Sequence, residues 1–120
     1  MGAHNHNAVL ATTWSDEHYE AIRRWVDGLE PVDRRLFMFG SVVVNMIRTV
    51  VLMPDGSYEG LESSNRGDYL RKIFIDRLEA DGYSDGSSPW SWVEVGYGEY
   101  GQKLLRGNNE NRHGAEGYAL

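Results

Sequence analysis

The residues best placed to do chemistry gather late in the chain. Trp90, Trp92, Tyr97 and Tyr100 fall within eleven residues, and Tyr83 lies just upstream. The run Trp90 to Tyr97 (WSWVEVGY) alternates with period two, which predicts a strand. On a strand, Trp90, Trp92 and Glu94 share one face, while Val93, Val95 and Tyr97 take the other. Two indoles beside a carboxylate suit a cation or a flat polar ligand, since a cation held over a ring gains about 0.5–2 kcal/mol. The preceding loop, Asp81 to Pro89 (DGYSDGSSP), is rich in turn residues and able to move. Trp90, Trp92 and Glu94 are therefore the expected ligand or partner surface, with Tyr83 and Asp85 as its rim. Val93 and Val95 are expected to supply the core stripe. The competing reading places helices over the Trp side, so that both faces are packed.

Other reactive groups are sparser. His18 could act as a general base, but no carboxylate can be assigned from sequence to orient it; a surface or half-buried histidine is the alternative. Glu59, Glu62 and Glu94 would approach one another if their segments share a sheet, and a correctly separated carboxylate pair hydrolyses glycosides. Carboxylates on the surface of an acidic chain are the plainer reading. His4 and His6 form a His-x-His pair that could bind a metal or simply mark a loose end. Ser41 lacks a nucleophile-elbow context. The glycines of Gly96 to Gly101 follow a strand without an amphipathic helix behind them, so no phosphate cradle is predicted. There is no cysteine, hence no disulfide, thiolate nucleophile or thiolate metal site. No cofactor and no metal are expected, and no catalytic residue is assigned.

A net charge of −6 disfavours nucleic-acid backbone and anionic membrane surfaces as partners, because both need a basic footprint. It permits a basic protein partner or a small cationic or polar ligand. Hydrophobic residues at 41% and charged residues at 25% over 120 residues describe a single globular domain. The opening MGAHNHNAVLATTW shows neither a basic region nor a long apolar block. The apolar run 36–53 is interrupted by Ser41, Asn45, Arg48 and Thr49, which argues against a membrane span. The chain is read as soluble and cytoplasmic.

The elements that would position these residues follow from pattern and punctuation. Ser15 is a plausible N-cap, with Asp16 and Glu17 in the first turn and Gly28 as the stop, so a helix is predicted over 15–28. Its buried stripe is Tyr19, Ile22, Val26 and Leu29. Pro31 suits the start of a second helix over 31–46, carrying Leu36, Phe39 and Val43 inward at steps of three and four. The valines at 42–44 compete for a strand there. Strands are predicted over 48–53 and 57–61, joined by the Pro54-Asp55-Gly56 turn. A third helix over 65–81 buries Leu70, Ile73, Phe74 and Leu78, and a last strand covers 90–97. Residues 1–13 read as loosely ordered, 14–105 as one α+β domain, and 106–120 as a flexible polar tail. The expected fold is α+β: three helices on one face of a small, mainly antiparallel three-stranded sheet, in the order α-α-β-β-α-β.

The functional expectation is a non-catalytic binding or accessory protein that docks a basic partner or cationic ligand through the aromatic and carboxylate surface. The alternative is a small-molecule-binding protein or acid–base enzyme with an aromatic-lined pocket between helices and sheet. Exposed sheet edges tend to be paired or covered, so a homodimer is the expected assembly.

Overall fold

The computed structural model describes residues 5–57, 61–99 and 101–108. Among these residues the order is β1 (Asn5–Thr13), α1 (Asp16–Asp27), α2 (Pro31–Arg34), β2 (Phe37–Phe39), β3 (Arg48–Leu52), α3 (Glu62–Ala80), β4 (Trp90–Gly98) and β5 (Gly101–Gly107). A short 3-10 turn, Val44–Met46, lies between β2 and β3. The strands form one antiparallel sheet in the order β2-β3-β1-β4-β5. With the one-turn α2 set aside, the elements from β1 to β4 run β-α-β-β-α-β, a split βαβ arrangement, and β5 extends the sheet by one strand.

The α+β class is as expected, but the sheet has five strands rather than three. Of the added strands, β1 falls where the sequence reads as loose, and β5 begins within the expected domain and ends in the expected tail. β1 is the central strand: it pairs with β3 from Val9↔Leu52 to Thr13↔Arg48 and with β4 from Asn5↔Gly98 to Thr13↔Trp90. Its sequence, NHNAVLATT, is polar and small, because Val9 and Ala11 need only modest side chains beneath the helices; both are fully buried. β5 (GQKLLRG) is an edge strand, where polar residues are normal, and it runs past residue 105. The remaining residues read as tail, 109–120, lie outside the described residues.

The third difference lies in 31–46. The helix begins at Pro31 as expected and ends after four residues. Phe37–Phe39 then pairs with β3 through Phe37↔Leu52 and Phe39↔Val50. The β-branched run Val42–Val44 sits in the connecting loop, where a helix would have cost each of them side-chain freedom. At Pro54–Gly56 the chain takes φ +78° at Gly56 and the Ser57 N–H donates to Asp55 Oδ1 at 2.8 Å, yet among the described residues no hairpin follows. Ser57 is outside any strand and α3 already starts at Glu62; residues 58–60 lie outside the described residues. The helix α3 begins at Glu62, ahead of its expected start at residue 65.

The helices α1 and α3 cover one face of the sheet. Tyr19, Ile22 and Val26 from α1 meet Leu70, Phe74, Ile75 and Leu78 from α3 over Val9, Ala11, Val50, Leu52, Trp90 and Trp92. Aromatic contacts fix the helices against β2: Phe74 stands edge-on to Phe37 at 5.1 Å between ring centres and stacks on Trp25 at 6.2 Å. The N-cap of α1 is made as its sequence implies, with Ser15 Oγ accepting the His18 N–H at 3.3 Å. The helix α2 is tied in by Asp33, which is buried and takes a two-point hydrogen bond from Arg66 of α3.

Candidate functional site

The structure keeps the alternation of β4 but reverses its sense. Trp90, Trp92 and Glu94 do share a face, and it is the face the helices cover: they are 1%, 9% and 4% exposed. The expectation that this face is open is therefore corrected. The residues Val93, Val95 and Tyr97, of which the two valines were assigned to the core, lie on the uncovered side, with Tyr97 46% exposed. Alternation fixes which residues go together; it cannot say which set the helices choose, because both sets contain large apolar groups.

Trp90 is held on every polar atom described for it. Its indole Nε1–H donates to Asp81 Oδ2 at 2.9 Å, its backbone N–H donates to Ser88 Oγ at 3.1 Å, and its carbonyl accepts from Asn108 Nδ2 at 2.6 Å. Asn108 Oδ1 also accepts the Trp92 N–H at 3.1 Å. One side-chain amide thus replaces a strand residue beyond the end of β5, and the sequence offered no sign of it. Beside these groups lies a cleft of ≈ 400 Å³ whose walls include Tyr83, Ser87, Ser88, Trp92 and Asn108. The structure therefore brings Tyr83 and the edges of Trp90 and Trp92 together. Asp85 is exposed and accepts from the hydroxyl and backbone N–H of Ser87, which hold its carboxyl below the usual range. Its role there is to shape the loop.

Glu94 is elsewhere, inside a charge network that joins α3 to the sheet. Its Oε1 accepts from Arg106 Nε on β5 at 2.7 Å, and its Oε2 lies 3.7 Å from Arg71 Nε on α3. The hydrogen bond to Glu94 raises the Arg106 pKa further above its ordinary value. Arg71 is itself buried and also reaches Asp55 Oδ2 at 3.3 Å and Asp68. Burial disfavours the charged form of Asp55, but hydrogen bonds from the Ser57 hydroxyl and N–H and from Arg71 outweigh it and hold its pKa below 3.8. Gly67 makes this approach possible: a Cβ there would stand 1.8 Å from Asp55 Oδ2. Among the described residues no buried side-chain nitrogen or oxygen is left without a partner, which is the condition for such a network to hold structure together. The carboxylate trio considered from sequence does not assemble: Glu62 is exposed at the start of α3, Glu94 is in the network, and Glu59 lies outside the described residues.

His18 acquires a partner that sequence did not assign, the Ser15 hydroxyl, 2.7 Å from Nδ1. Its ring stands edge-on to Tyr83, 6.4 Å between centres. Ser15 is the N-cap of the same helix, and capping accounts for the contact. A carboxylate that would orient the ring is not among its hydrogen-bond partners in the described residues. His6 is on β1 beside Tyr97, at 5.1 Å between ring centres.

The uncovered face of the sheet is the feature that sequence reading missed. Four rows cross the strands on this side. Thr49, Thr12 and Ser91 form the first; Met38, Val51, Leu10 and Val93 the second; Ala8, Val95 and Leu104 the third; His6, Tyr97 and Gln102 the fourth. None of these positions is Asp, Glu, Lys or Arg, in a chain where a quarter of the residues are charged. The two middle rows are wholly apolar: Met38 and Leu10 are exposed, Val51, Val93, Val95 and Leu104 half-buried, and the small Ala8 between them is buried. A second apolar surface lies at the β2–β3 loop, where Val42, Val43, Val44 and Met46 are exposed, Val44 by 81%. The base of that loop is anchored: Tyr19 Oη donates to the Gly40 carbonyl at 2.9 Å and Arg48 Nη1 to the Met46 carbonyl at 2.9 Å.

No protein-family model, no curated protein and no solved structure matches the chain. Among the described residues no helix is long and apolar enough to cross a membrane.

Proposed function

We propose that this chain is a non-catalytic protein-association module that docks through the open face of its sheet. The observation that carries the reading is the pair of apolar rows, Met38–Val51–Leu10–Val93 and Ala8–Val95–Leu104, with no Asp, Glu, Lys or Arg among the described strand residues paired on that side of the sheet. A folded chain gains by covering such a surface, at about 25 cal/mol per Å² of apolar area removed from water. Docking a basic partner through Glu94 loses support, because that carboxylate is buried and already faces two arginines.

The test is fluorescence-detected sedimentation of the labelled chain in a concentrated cell extract, beside a Leu10→Ser/Val95→Ser variant. The native chain is expected to sediment above monomer mass and the variant as a folded monomer. Monomer for both, with unlabelled native chain added to about 200 µM, overturns the reading. So does a variant that loses core-like stability when dilute, about 2–4 kcal/mol per site, since that would make the rows part of the fold rather than a surface.

A second reading keeps the cleft beside Trp92. Its ≈ 400 Å³ and its mixture of Tyr83, two serines and Asn108 fall within the range of small-ligand sites. A small flat polar ligand would stack on Tyr83 and take hydrogen bonds from the loop. Saturable protection of Tyr83 fluorescence from quenching by a ligand panel, lost in Ser87→Ala/Ser88→Ala, is the outcome that favours it.

A further inference from the structure

We infer that the occupant of the open face is a second copy of this chain, packed sheet against sheet about a two-fold axis. The inference rests on the reading of that face as a docking surface and adds the identity of the partner.

The first argument is charge. Two copies each carrying −6 repel at long range, so self-association requires a contact that buries no carboxylate. The open face is such a contact. Every Asp and Glu within the strands and helices described lies on another surface or in the buried network. A basic partner would find no acidic residue on these rows to pair with, so the face offers it nothing beyond what it offers a neutral one.

The second argument is symmetry. The rows run polar, apolar, apolar, polar from one end of the sheet to the other. An axis lying between two such faces, either along or across the strands, sets apolar rows on apolar rows and polar rows on polar rows. An isologous interface demands this self-match, and a foreign partner would not need it. Thr12, Thr49 and Ser91 at one end, with His6, Tyr97 and Gln102 at the other, then form the polar rim that surrounds an apolar centre in stable interfaces.

The third argument is size. Five strands about 4.8 Å apart, averaging roughly six to seven residues of about 3.3 Å, present about 500 Å² in projection. Side-chain relief makes the accessible area larger than the projection, which brings it near the roughly 800 Å² per partner of a standard interface. The chain's own C-terminal residues are a poor alternative cover. The stretch after Asn108, NENRHGAEGYAL, holds only Tyr118 and Leu120 as large apolar groups, too few to match seven apolar positions.

Sedimentation velocity on the purified chain, from about 1 µM to about 200 µM, is the decisive measurement. The native chain is expected to pass from monomer to dimer within that range. Leu10→Asp, which puts a carboxylate at the centre of the second row, should weaken the dimer by roughly 100-fold or more. Should Leu10→Asp fail to fold, Val95→Thr carries the same test with a smaller shift. Because the chain has no cysteine, Leu10→Cys gives an independent signature: a short bis-maleimide, which spans facing sheets that a disulfide cannot, should link two copies, whereas Lys72→Cys, on the exposed side of α3, should not link above background. A native chain that stays monomeric to the top of the range overturns the second copy as occupant. Assembly in extract would then still stand as evidence for the association reading, and its loss there would overturn both. A dimer that Leu10→Asp leaves intact overturns the assignment to this face.

Discussion

Strand β4 carries two faces of similar bulk and opposite fates. On one, Trp90, Trp92 and Glu94 are sealed under α1 and α3; on the other, Tyr97 is exposed and Val93 and Val95 are half-buried, with no helix of the described residues packed over them. The same division runs along the chain between 36 and 53. Val50 and Leu52 are buried, while Val42, Val43, Val44 and Met46, equally apolar, are exposed. Hydrophobicity alone does not decide burial. A residue enters the core when its element presents it to the helices, and large apolar groups left outside are the informative exception. The comparison is best tested by mutations whose costs should differ between the covered and the uncovered sets.

The largest contrast is between the two sides of β4. Trp90→Ala should cost about 3–5 kcal/mol, as for a fully buried aromatic, and it also removes the donor to Asp81 Oδ2. Tyr97→Ala, near the other end of β4 and on the other face, should cost less than about 1 kcal/mol in the dilute chain. Urea unfolding at low protein concentration measures both. Equal costs would dissolve the distinction between the faces.

Next comes the charged part of the covered face. Arg71→Ala leaves Glu94 and Asp55 without the guanidinium they share, and breaking a buried pair from one side costs about 3 kcal/mol or more. Gly67→Ala attacks the same network sterically by driving Asp55 from its seat. A loss in Gly67→Ala that is largely abolished in an Asp55→Ala background would tie the glycine to the carboxylate. Additive losses would place the cost in the helix instead.

These two regions also mark how far sequence reading reaches. The N-cap at Ser15, the stop near Gly28, the stripe Leu70, Phe74 and Leu78 and the alternation of Trp90 to Tyr97 were all legible, since each is set by local geometry. The central strand β1 was not, because Ala8, Ala11 and the threonines give it little apolar signal. Its place in the middle of the sheet comes from two neighbours distant in sequence. The loop at 42–46 was misread as helix because a buried turn of helix and an exposed valine run look alike in spacing. For the candidate site, the grouping of Trp90, Trp92 and Glu94 was legible, while their burial was only the competing reading, since alternation does not choose between the faces. Arg71 gave no hint either, as its partners Asp55 and Glu94 sit on other elements.

A smaller effect separates Asp55 from the exposed carboxylates by pH. Its pKa is held below the ordinary 3.8 in the folded chain, so its contribution is fully present above that value and is lost as pH falls through the lower folded one. Asp55→Asn should therefore cost about 1–2 kcal/mol near neutrality, the scale of hydrogen bonds to a charged group. The gap between variant and native chain should close only below pH 3.8. Unfolding titrations at several pH values read this directly, and a gap already closed at neutral pH would show that the Ser57 and Arg71 contacts contribute nothing to stability.

The smallest effect belongs to the uncovered loop and has the opposite sign. Asn45 and Met46 both sit in the left-handed region, at φ 61° and 63°. Asparagine tolerates that conformation, but for methionine it costs about 1–2 kcal/mol. Glycine removes the strain and brings its own entropic cost of about 0.5–1 kcal/mol. The Met46 side chain is 57% exposed, so little packing is lost with it. Met46→Gly should accordingly raise stability by about 0.5 kcal/mol in the dilute chain. Strain kept at an exposed apolar position is the pattern expected where a surface serves binding rather than folding. A loss of more than about 1 kcal/mol in Met46→Gly would show instead that the thioether packs within the loop. The loop would then belong with the covered residues, leaving the open face of the sheet as the only apolar surface in the comparison.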